Sequence, residues 1–445
     1  MSAKHTQISK TITTRSFYFL ELSGIERMKR ILHNRNVMTV SVTSSVIGFF
    51  QQVYNPFWSL YLGALGLSII QIGILSAIRS SQQFLLQLPG GMLADRIGRK
   101  KVLVLVAFTR IFTPIVFYFS TSWEGILFAS ILSGFDSISG PAFQALVAES
   151  LPLNQIGSGY GMYNTIQRVP SVFTALIGGI LMDAIGVREA TKLCFIGASI
   201  IAFIVFLVRY FLVTETLTPE KKQKQDMVKD LSEVFPLLKG TLKGMLVASA
   251  VTQFASGLSS AYIVIYAVNI IGLSKTEWGV ITTIMSVLSL ITAIPGGMIS
   301  DKYDRRKLLV FSRAVEPATN IGYITFRSLW QIIGVRVIAG AAMGISGANV
   351  EGLLGGPAWS ALLADLVPSK KRGRLSGLMG TMSGLAAFFA PYIGAYSWES
   401  ELVGPDMTLI ISSIIGVSSS AILWLYVRDP RTEAKNNLSS DSSNS

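Results

Sequence analysis

Three ionisable side chains stand inside otherwise apolar runs of this chain, and their chemistry limits what they can do. Arg79 lies ten residues into its run, Asp136 eleven and Arg168 nine. A charge at bilayer depth is expensive, so each is a functional hypothesis by default. Polar residues follow helical spacing around them: Arg79, Gln83 and Gln87; Tyr160, Asn164 and Arg168; Gln51, Asn55 and Trp58. Such stripes cannot face lipid cheaply, so they are expected to converge on an aqueous cavity. An arginine fork there suits a carboxylate or phosphate, and a buried carboxylate suits loading and releasing a proton. The competing reading is structural, an ion pair of Asp136 with Arg79 or Arg168.

The second half offers different groups. Gln253 and Tyr262 share a stripe with Ser256, Ser259 and Tyr266. Glu351 sits in the Gly-rich insertion 347–352, where it serves as a proton carrier if it reaches the cavity and is merely solvated if the insertion lies outside. Arg110 and Arg313 occupy matching places in the two halves, which favours structural roles. Arg209 is expected to snorkel to the surface, and Cys194 to be a packing residue.

The elements that must position these groups are membrane helices. Half of the 445 residues are hydrophobic and 14% are charged, against roughly a quarter charged in a soluble domain. Runs of about 20 apolar residues are what a bilayer core demands of a helix. Twelve spans are expected: 37–62, 69–93, 102–120, 125–149, 159–182, 191–213, 244–270, 277–300, 308–326, 331–365, 374–396 and 406–427. The fold class is all-α, twelve transmembrane helices in two six-helix bundles. Residues 1–36 form an N-terminal segment, 37–213 the first bundle, 214–243 a polar central loop, 244–427 the second bundle and 428–445 a disordered tail.

Charge placement sets the expected orientation. The termini, the central loop and the connections on their side hold 28 Lys and Arg, against Arg188, Lys275 and Arg327 opposite. Under the positive-inside rule both termini are cytoplasmic. The net charge of +13 is dispersed over these connections, so nucleic acid is not an expected partner. The only His, His5 and His33, precede the apolar body, and Cys194 is the single Cys, which excludes thiolate metal cages and disulfides within the chain. No nucleotide-binding or catalytic motif stands out, so neither an enzyme nor a cofactor or metal site is expected.

The halves are copies. Residues 89–104 (PGGMLADRIGRKKVLV) and 295–310 (PGGMISDKYDRRKLLV) agree at nine of sixteen positions, and 140–152 agrees with 356–368 at seven of thirteen. FTRIFTP (108–114) parallels FSRAVEP (311–317), and TALIGG (174–179) parallels APYIGA (390–395). Internal duplication in a membrane protein points to a transporter. Gly178-Gly179 and its counterpart are expected to allow close helix packing.

The string Gly91-Met-Leu-Ala-Asp95-Arg96-Ile-Gly98-Arg99-Lys100 resembles the signature between helices 2 and 3 of the major facilitator superfamily. The copy is partial, with Asp304 in place of the second glycine, and carries Asp301 and Arg305. The resemblance implies that helices 1, 2, 4, 5, 7, 8, 10 and 11 line a central cavity. It also implies that Asp95 faces the start of helix 11, near Arg374, as a gate contact made in one transport state. Glu149 and Asp365 are the expected partners of Arg99 and Arg305.

These readings describe a secondary transporter in the plasma membrane, moving a small molecule by alternating access as a monomer in the lipid bilayer. Proton-coupled efflux of amphipathic compounds is the leading expectation, with Asp136 and then Glu351 as proton carriers. An organic-anion carrier using Arg79 and Arg168 is the alternative. Outside transport, a membrane receptor or assembly partner is a further one.

Overall fold

The computed structural model describes residues 31–152, 156–217, 235–346 and 357–431, and these are helical almost throughout. Glu351, and the side chains of Gln87, Tyr160, Asn164, Asp301 and Arg374, lie outside the described residues. Twelve helical rods follow one another: α1 (35–64), α2 (69–97), α3 (Arg99–Phe119), α4 (123–150), α5 (156–185) and α6 (Val187–Leu212). Then come α7 (241–270), α8 (Lys275–Lys302), α9 (Arg305–Thr325), α10 (329–346 and 357–366), α11 (369–399) and α12 (Gly404–Tyr426). Eleven of the expected spans appear as helical rods with ends shifted by a few residues, and the described parts of the span 331–365 are helical too.

Among the described residues, seven segments are long and apolar enough to cross a bilayer. The others, in α1, α2, α8, α9 and α10, dilute their hydropathy with polar residues or break before reaching full length. The perimeter is apolar: Phe119, Phe211 and Trp330 are 75%, 70% and 78% exposed, which suits lipid and not water.

Several rods change winding where function concentrates. Pro56 sits in a 3-10 turn, Asn55–Phe57, in the middle of α1. α4 tightens into 3-10 winding over Gly134–Ile138, around Asp136, and α7 relaxes into π winding over Tyr266–Ile270. Such interruptions inside a helix commonly mark hinges or sites. They free backbone groups that neighbouring helices and polar side chains then satisfy.

Three apolar cores hold the rods together. One joins both halves at the end away from residues 31 and 431, uniting Phe57, Tyr61 and Ile72 with Tyr262, Tyr266 and Trp398. The second, around Met245, Leu362 and Leu423, belongs to the second half alone. The third, around Val40, Val102 and Leu146, belongs to the first half alone. The molecule is therefore sealed at one end and divided at the end that carries residues 31 and 431.

Candidate transport pathway

The seal is made by carboxylates that cross between the bundles. Asp183, near the end of α5, accepts from the backbone N–H groups of Lys275 (3.2 Å) and Thr276 (2.7 Å), which open α8. The Lys275 ammonium lies 3.5 Å from the same side chain. Glu399, ending α11, accepts from the N–H of Ile69 (3.0 Å), which opens α2. Both receiving helices also carry their own capping boxes, Ser68 with Gln71 and Ser274 with Glu277. The partner bundle thus satisfies N–H groups left over at a helix start, where the macrodipole also favours negative charge.

Close packing completes the seal. A side chain on Gly179 would strike the Lys275 carbonyl, and one on Gly73 would meet Ala395 at 2.6 Å. The expected small-residue packing in α5 and α11 therefore operates between the bundles as well as within them. Tyr262, expected to line an open cavity, is instead fully buried in this seam. Its hydroxyl donates to the Pro391 carbonyl and its ring lies 5.4 Å from that of Trp398. Pro391 and Trp398 both lie on α11, which packs against α2, so the tyrosine is drawn into the interface.

At the divided end the duplicated loops repeat one arrangement. Arg99 is 7% exposed, and its Nη2 lies 2.8 Å from Asp95 and 3.1 Å from Glu149. Arg305, 2% exposed, lies 2.6 Å from Asp365. Each arginine is the first residue of α3 or α9, and in each half a further acid caps that opening. Glu215 accepts from the N–H groups of Arg99 (2.9 Å) and Lys100 (3.2 Å); Asp429 accepts from that of Arg305 (3.0 Å).

Neither cap was expected, yet a signal exists. Val213, Glu215 and Thr218 stand 214 positions before Val427, Asp429 and Thr432. Gly98 has a φ of 112°, and a side chain there would run into the Glu215 carboxylate. Only glycine combines that conformation with that approach. Arg96 is exposed, and Gly91 would bring a side chain to 3.6 Å of Pro141. Asp95, with 45% of its side chain exposed, contacts Arg99 and, among the described residues, makes no ion pair with α11.

At mid-depth the ion pairing differs from expectation. Asp136 pairs with Arg110, not with Arg79 or Arg168: Arg110 Nε lies 2.8 Å from Asp136 Oδ1. The N–H is not aimed at that oxygen, so the contact is a charge attraction without a hydrogen bond. The 3-10 winding of α4 and the central position of Arg110 on α3 bring the two together, a convergence that spacing along one helix cannot reveal. Arg79 donates from Nη2 to Asn55 Oδ1 at 2.7 Å, joining two of the expected stripes. Gln83 and Arg168 are exposed, and Gln253 is partly buried on α7.

Two further corrections concern buried charge. Arg209 does not snorkel outward; it is 1% exposed and donates to Thr43 Oγ1 (3.0 Å) and Ser44 Oγ (2.9 Å). Glu316 joins the short roster of mid-depth acids, eleven residues into α9 and partly buried. It senses the charges of Arg313 and Arg336. Arg336 is held by the Tyr323 hydroxyl and Arg313 lies over the Trp359 ring at 5.6 Å.

Comparison with known proteins places this geometry. The family model described as Major Facilitator Superfamily matches residues 40–245 and again 245–444. An uncharacterized MFS-type transporter of Methanocaldococcus jannaschii is 22% identical over 401 residues, covering 88% of this chain and 94% of that protein. The multidrug resistance protein MdtG of Dickeya zeae is 27% identical over 386 residues, covering 84% and 90%. Among solved structures, a nucleoside transporter superposes with a TM-score of 0.70 at 11% identity, covering 88% of this chain and all of that one. The xylose transporter XylE from E. coli, in an inward open conformation, gives 0.65 at 14% identity, covering 88% and 96%.

Proposed function

The chain belongs to the major facilitator superfamily of membrane transporters, and on that premise we propose that it exports amphipathic compounds in exchange for protons. One observation carries the alternating-access part of this reading. A shared core with two crossing carboxylate caps closes one end, while separate cores divide the other. Such a molecule can rock about its middle only if the contacts at the closed end are few and reversible, and helix-end caps meet that need. With both termini cytoplasmic, as the basic loops suggest, the sealed end is external and the conformation inward-facing. Residues 37–213 and 244–427 are then the two rocking bodies of a monomer in the plasma membrane.

The export reading draws on the resemblance to MdtG. Asp136 is the proton carrier in this scheme. Its partner Arg110 is held by charge without a hydrogen bond, so a proton taken up by Asp136 would release the arginine.

A second reading rests on Arg79, which bonds Asn55 and has no carboxylate within ion-pair range among the described residues. A cation so placed favours an organic anion as cargo. Proteoliposomes with an imposed pH gradient separate the two. Gradient-driven, protonophore-sensitive movement of lipophilic cations and neutral dyes is the expected result. Movement of organic anions alone, indifferent to the protonophore, would overturn the exporter reading.

A further inference from the structure

Inside the first bundle lies a polar chamber whose charges do not balance. Six of the residues around it are Ser44, Gln51, Arg110, Tyr163, Gln167 and Arg209, drawn from α1, α3, α5 and α6. Its volume is about 100 Å³, enough for a few particles of water size at about 30 Å³ each. Pockets for drug-sized molecules run to about 300–1,000 Å³, so the chamber is too small for the cargo.

Arg209 and Arg110 both line the chamber, and Arg209 lies in the field of the positive Arg110 and the negative Asp136. Asp136 is engaged by Arg110. Arg209, 1% exposed, has among the described residues only neutral hydroxyl partners, Thr43 and Ser44, on Nε and Nη2. The cluster therefore holds one positive charge in excess. An aspartate or lysine could cancel such an imbalance by changing protonation state, but a guanidinium does not deprotonate in proteins. A buried ion without a counterion is strongly disfavoured.

The donors in the chamber match that need. The Thr43 hydroxyl already donates to the carbonyls of Thr39 (2.7 Å) and Val40 (3.2 Å). Ser44 accepts from Arg209, and both Ser44 and the Gln167 amide hydrogen-bond to the Tyr163 hydroxyl oxygen, which leaves the tyrosine's own proton to offer. Guanidinium, hydroxyl and amide donors around a space of this size make a shell for one small, singly charged anion.

We propose that this chamber binds a monovalent inorganic anion of the halide class, with Arg209 as its principal ligand and Arg110 as the second cation. The anion neutralises Arg209 and leaves Asp136 to Arg110. The proposal concerns binding within one bundle and holds whichever cargo the transporter moves.

The test uses the full-length purified chain. Thermal unfolding is followed in sodium chloride, sodium bromide and sodium gluconate at constant ionic strength. Chloride and bromide should raise the midpoint saturably over gluconate, since a ligand that binds only the folded state stabilises it. Arg209→Gln should abolish the halide response, and Tyr163→Phe should weaken half-saturation by about tenfold, the loss of one charge-assisted hydrogen bond. Should Arg209→Gln fail to fold, Tyr163→Phe and anomalous diffraction from bromide-grown crystals carry the decision. A bromide peak between Arg209 and Arg110 supports the site. Equal midpoints in chloride and gluconate, an undiminished response in the variants, or no such peak would overturn it.

Discussion

Asp183 and Glu399 stand 216 positions apart, the offset that also relates residues 140–152 to 356–368. Each caps a helix of the opposite bundle, Asp183 the start of α8 and Glu399 the start of α2. Duplication has therefore produced a reciprocal clasp, in which each half lends an acid to the other's helix end. Neither acid is remote from water, so the contacts are strong enough to bias a conformation and weak enough to release.

Replacing Asp183 with Asn and Glu399 with Gln should loosen this clasp without unfolding either bundle. A carboxylate at a helix N-terminus contributes about 0.3–1 kcal/mol, so the double variant should shift the balance of states by about threefold to thirtyfold. Spin labels at Arg188 and Leu402, in a chain with Cys194 replaced by Ser, would report the distance across the sealed end. Longer distances should grow in population in the double variant; an unchanged distribution would show that the shared apolar core alone holds the seal.

Gly98→Ala and Glu215→Gln act on one contact. The alanine must hold a φ of 112° against the Glu215 carboxylate, which should destabilise by more than about 1 kcal/mol. The glutamine keeps the shape but loses the charge at the start of α3. Their effects on the thermal midpoint should be less than additive, because each disturbs the same cap. Full additivity would mean that the two residues act independently.

Asp136→Asn leaves Arg110 partly buried without its partner, and such a loss typically costs about 3–5 kcal/mol when burial is complete. The midpoint should fall, and adding Arg110→Gln should restore much of it. If Asp136 carries the coupled proton, the restored double variant will still move cargo down its gradient but will no longer respond to pH. Retained proton-driven flux in that variant would move attention to Glu316.

Asp95→Asn should leave folding nearly intact, since 45% of the aspartate side chain is exposed and an exposed ion pair contributes about 0–1 kcal/mol. Transport should nevertheless slow, because the carboxylate is needed at the divided end when that end closes. Normal turnover at normal expression would reduce the residue to a loop anchor.

Apolar run length, basic-residue placement and internal repeats made the twelve rods, the two bundles and the loop arginines with their acids legible in the chain itself. These depend on local hydropathy and on pattern copied within the sequence, and both survive in one dimension. Glu215 and Asp429 were legible in principle, as one more repeated block, although short and lying just beyond the apolar runs. What only the tertiary structure decided was which polar groups meet. Helical spacing places Arg79, Asp136 and Arg168 at one depth but leaves the rotation of each rod about its axis undetermined, and that rotation turned Asp136 to Arg110. The same freedom drew Tyr262 into the seam and Arg209 into the bundle interior, because packing between helices fixes rotation and no single helix contains that information.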